Sequence, residues 1–301
     1  MLSTLFDPIL PIFAILLLGF ISYRSRSFDV ASAQVINKFV FFVANPALIF
    51  TVVSNAPVDQ LDYSAIGVYL SAQLIAYGGT FLLLRYALNI ERKEALLLGL
   101  TTVFVNHIFF VLPIAERVYG TLESRPIAGI VIIDILLLFC GTVLALDLMN
   151  SSKKSVFNVV RLLSKNPFLI ASMLGVLSWF AGDVPGGILT YAKFVGAAAA
   201  PAALFSLGII LASSPLKPIG KATWLVIFVN ILVVPLLVYG FLQNLTVTPG
   251  WEKLILLLAA GPCGAMPFVI ALQYGIRTTA IAKAILVSTL LSLISMTILT
   301  S

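Results

Sequence analysis

The chain has 301 residues, of which 60% are hydrophobic and 10% charged, and its mean hydropathy is +1.11. A soluble domain of this size carries roughly a quarter of its residues as charges, so this chain cannot cover a surface that faces water. The net charge of +6 would suit nucleic acid, but the placement of the basic residues accounts for the excess, and nucleic acid is not an expected partner.

Charge-poor runs of about 18 or more residues recur along the whole chain, the pattern of helices that span a bilayer. The expected fold is an all-α membrane protein of ten transmembrane helices. In chain order they lie at 5–23, 34–54, 64–88, 94–117, 126–148, 166–182, 188–212, 220–241, 252–274 and 278–299. The stretches between them, among them RSRSFD, NAPVDQLD, NIERKE, NSSKKS and SSPLKP, hold the turn formers and most of the charges. The first run follows almost no basic residues and no small-residue cleavage site follows it, so it is expected to be a retained span and not a signal peptide.

Lys and Arg set the orientation. With the first connection cytoplasmic and the sides alternating, fourteen basic residues fall on the cytoplasmic side, including Arg24, Arg26, Lys38, Lys153, Lys154, Arg161, Lys217, Arg277 and Lys283. Four fall opposite, namely Arg117, Arg125, Lys193 and Lys253. Positive residues stay cytoplasmic during insertion, so both termini are expected on the non-cytoplasmic side of the cell membrane.

One phrase occurs twice. NPALIF at 45–50 and APAALF at 200–205 set Pro46 and Pro201 155 residues apart, as are the dipeptides Tyr119-Gly120 and Tyr274-Gly275. Pro11 and Gly19 match Pro167 and Gly175 at a shift of 156, and Pro113 matches Pro267 at 154. These rare landmarks in one register imply two copies of a unit, 1–150 and 151–301, each with five spans. Because five is odd, the second copy enters the membrane inverted, the arrangement of many secondary transporters, whose substrate site lies where the repeats meet.

The fourth and ninth spans, TTVFVNHIFFVLPIAERVYG and AAGPCGAMPFVIALQYG, carry helix breakers at membrane depth. Proline removes a backbone hydrogen bond and clashes with the preceding turn, and Asn106, His107, Gly261, Pro262 and Gly264 widen each break. Freed backbone groups are tolerated there only where protein or water satisfies them. The second halves of both spans then begin near the bilayer centre, so two helix N-termini, each with about half a positive charge, face one site. Such a site suits a carboxylate; ligand-free kinks are the alternative.

The segments INKFVFFVANPALIF, PAALFSLGIILA and AILVSTLLSLISMTIL, with the span around Asn106 and Pro113, resemble the auxin efflux carrier family, which includes compact prokaryotic members and the PIN-type exporters. The resemblance covers essentially the whole chain. It implies a two-repeat, ten-helix fold related to bile-acid sodium symporters, with crossing broken helices in spans four and nine, and transport of small organic acids such as malate- or malonate-like carboxylates. His107 followed by Ile, Phe and Phe departs from the smaller, more polar residues usual after the span-four asparagine.

The expected substrate-binding residues are Asn106, His107, Pro113, Gly264 and Pro267, with Pro46 and Pro201 breaking spans two and seven as supporting walls. Asn106 is expected to donate side-chain hydrogen bonds and the prolines to hold the half-helices open. His107, the sole histidine, titrates in the physiological range when unperturbed. Asp134 lies deep in span five, where an ionisable group is a functional candidate by default. These two are the candidates for coupling to a proton. Each also has an ordinary structural alternative, a neutral hydrogen-bonding imidazole and a packed, protonated acid.

Lys38 and Lys283 are expected to snorkel to the cytoplasmic interface, with Lys283 alternatively countering a substrate carboxylate. Gln73, Asn230 and Gln273 are expected as contacts between helices. Cys140 and Cys263 lack metal-ligand spacing, and no metal or other cofactor is expected. The expected partners are the lipid bilayer, a small organic anion and H+ or Na+ as coupling ion, and a second copy in a homodimer is admissible. A sodium-coupled symporter is the second reading, a channel a third. A membrane-embedded enzyme would need more than one His and one deep Asp.

The orientation is checked by cysteine accessibility. A cysteine at Ser152 should be labelled from the cytoplasm, and labelling from outside the cell would reverse the assignment.

Overall fold

The structure is a computed structural model that describes residues 2–55, 61–124, 126–150, 165–181, 184–213 and 218–300. Arg125, Ser152, Lys153, Lys154, Arg161, Lys217 and the expected boundary between residues 150 and 151 lie outside these or at their edge. The described residues are helical, with no strand beyond a single isolated bridge.

In chain order the helices are α1 Leu2–Arg24, α2 Val30–Ser54, α3 Tyr63–Ala87, α4 Arg92–Val103, α5 at 107–119, α6 Thr121–Asn150, α7 Pro167–Ala181 and α8 Gly186–Ser213. They continue with α9 Lys221–Leu242, α10 Trp251–Ala259, α11 Met266–Gln273 and α12 Thr279–Thr300. Six of these helices are long and apolar enough to cross a membrane, and Leu10–Arg24 and Pro167–Phe180 are shorter apolar helices.

Short polar residues in the connections start the helices. Asp29 and Ser32 form a reciprocal capping box at α2, with Ser32 N–H donating to Asp29 Oδ1 at 2.7 Å. Asp62 accepts from the Ser64 and Ala65 N–H groups at α3, and Asn166 from Phe168 at α7. Such caps satisfy N–H groups that a helix start leaves open. The repeated Tyr-Gly dipeptide stops α5 and α11, where Gly120 and Gly275 adopt φ of +101° and +65°, left-handed values that glycine takes without penalty.

Prolines shape the helices through π-helical turns. Of five such turns among the described residues, Val40–Ala44, His107–Val111 and Val229–Val233 lie just ahead of Pro46, Pro113 and Pro235. A wider turn makes room for the proline ring and absorbs its missing N–H. The expectation that Pro46 breaks its span is therefore corrected: α2 stays helical through Asn45, with φ −65° and ψ −45°. α8 is interrupted by a turn at Ala197–Ala198, just before Pro201, and then continues.

Two groups of helices pack most extensively within themselves. In the first, α1 lies on α8, and α2 on α7 and α8. Glycines bring these backbones together, so that a Cβ at Gly19 would strike the Phe205 carbonyl and one at Gly208 the Leu16 carbonyl. Polar side chains add Ser206 Oγ–H to Ala33 O at 3.3 Å and Trp179 Nε1–H to Val53 O at 2.8 Å. The second group joins α3 with α4, α9 and α10, and α9 with α12. Large apolar side chains remain on the outside, Phe180 and Phe194 at 83% exposure, as suits a lipid-facing surface and not a water-facing one.

Gly208→Leu should force α1 and α8 apart and lower unfolding stability in detergent by about 1–3 kcal/mol. Gly78→Ala, where a Cβ meets nothing within 4 Å, should leave stability unchanged or raise it by up to about 1 kcal/mol. Equal responses of the two variants would contradict the close α1–α8 contact.

Candidate functional site at the crossing of two broken helices

The α4–α5 and α10–α11 pairs are each interrupted by a short non-helical segment, at 104–106 and at 260–265. The two segments pair with one another. Asn106 N–H donates to Pro262 O at 2.9 Å and Gly264 N–H to Phe104 O at 2.7 Å, as an antiparallel bridge between Val105 and Cys263. Gly264 allows this approach, because a Cβ there would lie 2.9 Å from the Phe104 carbonyl oxygen.

The carbonyls at the ends of α4 and α10 are closed off by side chains of neighbouring helices. Gln73 Nε2–H donates to Val103 O at 3.2 Å, and Asn230 Nδ2–H to Thr102 O at 3.1 Å and Gly261 O at 3.4 Å. Ser295 Oγ–H reaches Ala260 O at 3.4 Å, while Ser288 Oγ accepts the Cys263 N–H at 3.1 Å. Asn37 Nδ2–H adds a contact to Val269 O of α11 at 3.0 Å. Gln73 and Asn230 thus join helices, as the sequence suggests, and they do so at the freed backbone.

The helix starts are treated differently. The first N–H groups of a helix have no acceptor inside it. At α5 and α11 they belong to residues such as Ile108, Ala265 and Met266, which line a cavity of about 70 Å3. A water needs roughly 10–15 Å3 on the same scale, so the cavity holds several waters or one small acid. Asn106, His107, Asp134 and Gly264 line it as well, together with Leu48 and Ile49 of α2 and Ala200, Ala203 and Leu204 of α8. On the other side of the crossing Asn106 and Ala265 also border a smaller cavity that reaches Thr289.

His107 and Asp134 come together although 27 residues separate them. His107 Nδ1 lies 3.3 Å from Asp134 Oδ2, and its Nε2 is 2.9 Å from the Tyr69 hydroxyl. The three side chains are 4%, 1% and 1% exposed for His107, Asp134 and Tyr69. Neither oxygen of Asp134 has a hydrogen-bond partner in good geometry. Tyr69 has no counterpart among the sequence candidates. The available signal was the row Tyr69, Gln73, Tyr77, Thr80 along one face of α3, with Tyr77 Oη 2.7 Å from Thr142 Oγ1.

The structure thus gathers Asn106, His107, Asp134 and Gly264 at one cavity. Pro267 sits in the first turn of α11, while Pro113 follows the opening π-helical turn of α5, and neither lines the cavity; Pro46 and Pro201 flank the wall residues of α2 and α8. Lys283 lies elsewhere, its ammonium donating to Pro218 O at 3.1 Å in the α8–α9 connection.

Asn230→Leu should lower unfolding stability by about 1–3 kcal/mol, because it leaves buried carbonyls of two helix ends without their donor. That exceeds the roughly 0.6 kcal/mol typical of a polar contact between intact membrane helices. A loss below that figure in thermal unfolding would show the crossing to be satisfied in another way.

Comparison with known proteins agrees with this architecture. The family described as "Membrane transport protein" matches residues 4–158 and 152–300. A candidate malonate transporter of Rhizobium meliloti is 26% identical, over 96% of this chain and 92% of its own length. An uncharacterized transporter of Methanocaldococcus jannaschii is 24% identical, over 93% and 94% of the two chains. The solved structure of the sodium proton antiporter of Methanocaldococcus jannaschii at pH 8 superposes with a TM-score of 0.65 at 17% identity, over 96% of this chain and 92% of that one. This multi-pass chain belongs to the membrane transport protein family, the auxin-efflux-carrier type that its motifs resemble.

Proposed function

We propose that the protein is a secondary active transporter that carries small organic anions, carboxylates of the malate, malonate or auxin kind, across the cell membrane by alternating access. The observation that carries this proposal is the asymmetry of the crossing. Its carbonyl ends are capped by Gln73, Asn230 and Ser295, whereas residues of its N–H ends line the cavity. Two uncapped helix starts offer about half a positive charge each, with N–H donors for a carboxylate. The relative named for malonate transport supports the same substrate class.

In this proposal Asn106 binds the anion through its side chain, and Gly264 lets the second segment close behind it. Pro113 and Pro267 hold the half-helices apart, while Pro46 and Pro201 shape the opposite walls. One wall comes from the glycine-joined group of α2 and α8, the other from the crossing and α6. Motion of one group against the other would expose the cavity to each side in turn. The six long helices, two shorter apolar helices and two broken pairs support ten spans, in inverted units 1–150 and 151–301, with both termini non-cytoplasmic.

His107 and Asp134 are proposed as the coupling group. Sodium coupling is the second reading, favoured by the fold shared with a sodium proton antiporter. The imidazole 3.3 Å from the Asp134 carboxyl favours the proton, because the ring itself occupies the position beside the carboxyl that a metal cation would need.

Asn106→Ala removes one neutral hydrogen bond, worth about 0.5–1.5 kcal/mol, and should weaken substrate binding roughly threefold to tenfold with little change in stability. Unchanged affinity in a folded variant would move the site elsewhere. Uptake into proteoliposomes by His107→Gln and Asp134→Asn should lose the pH dependence of the parent. If both variants keep its rate and pH profile, sodium coupling or uniport replaces proton coupling.

A further inference from the structure

We infer that the cavity accepts one net negative charge per molecule, so that a dicarboxylate enters only with one of its carboxyl groups protonated. This deepens the proposed anion site and rests on it. Among the described residues, no Lys or Arg lines the cavity. Lys283 lies elsewhere, held by the Pro218 carbonyl in a connection. What remains positive is the pair of helix starts at α5 and α11, which together offer about one unit of charge.

The groups facing Asp134 add no further cation. From α3 come Tyr69, which reaches it only through His107, and the uncharged Gln73; from the start of α5 comes His107 itself. The walls contributed by α2, α8 and α11 are apolar side chains and backbone. His107 and Asp134 together are neutral when they hold one proton beyond the imidazole's own, and carry −1 when they do not.

Two arrangements therefore balance the helix starts. An ionised Asp134 can do so in the empty site, or a bound monoanion can do so while the His107–Asp134 pair holds its proton. A dianion leaves about one negative charge uncompensated beside a carboxyl that is itself buried, with no hydrogen-bond partner in good geometry, and an unpaired charge in so apolar a place is strongly disfavoured. Monoanion and proton thus bind together, one of each, and a second carboxylate must bring its own proton.

The experiment titrates purified protein calorimetrically with malonate and with its monomethyl ester, which stays a monoanion, between about pH 6 and 9. Above the second ionisation of malonate, its affinity should fall about tenfold more per pH unit than that of the ester, the mark of one additional proton taken up. In Asp134→Asn the ester should bind independently of pH, while malonate keeps its one-proton dependence. Parallel pH profiles for the two ligands in the parent protein, which need no variant, would overturn the one-charge limit and leave the anion site standing. A pH dependence for the ester that survives Asp134→Asn would remove Asp134 from the charge balance. If neither acid binds at any pH, the anion site falls and the inference with it.

Discussion

A helix broken inside a bilayer must find partners for its freed N–H and C=O groups within the protein, since lipid offers none. Everything distinctive about this fold follows from how that requirement is met. The two breaks pair with each other, Asn106 N–H to Pro262 O and Gly264 N–H to Phe104 O. The pairing needs two broken helices at one place, and it needs a residue as small as Gly264 where the backbones touch.

The remaining groups are divided unequally. Amides and hydroxyls from α3, α9 and α12 close the carbonyl ends, and the N–H ends are left beside open volume. A region that is apolar in composition thereby acquires a local positive potential with no Lys or Arg lining it among the described residues. That potential is small, about one unit of charge, and this limits what can be bound. The buried Tyr69–His107–Asp134 chain stands next to it, placing an acid and a base where a change of one proton alters the balance. The glycine-joined group of α1, α2, α7 and α8 supplies an opposing wall that owes its closeness to absent side chains.

Much of this is legible in the sequence because the signals are local. Hydropathy marks the helices, and the clustering of Pro, Gly and Asn around 106–113 and 261–267 marks the breaks. Pro46 misleads for a local reason too: the sequence does not reveal that the preceding turn widens into a π-helical one and keeps α2 intact. What the sequence hides is tertiary. Nothing near Asp134 announces His107, nothing near Tyr69 announces either, and Asn230 meets Thr102 only because α9 packs on α4 of the first broken pair. A polar residue in an apolar run must have a partner somewhere, but only the fold tells which one.

In the proposed function a carboxylate is held by the helix starts of the crossing. The direct measurement is a cryo-EM reconstruction of the protein in a lipid nanodisc with saturating malonate at mildly acid pH, compared with the same sample without ligand. Ligand density is expected between Asn106–Ile108 and Gly264–Met266, within hydrogen-bonding distance of backbone N–H groups on both sides and close to His107. Density bound elsewhere, with this cavity unchanged between the two samples, would contradict it.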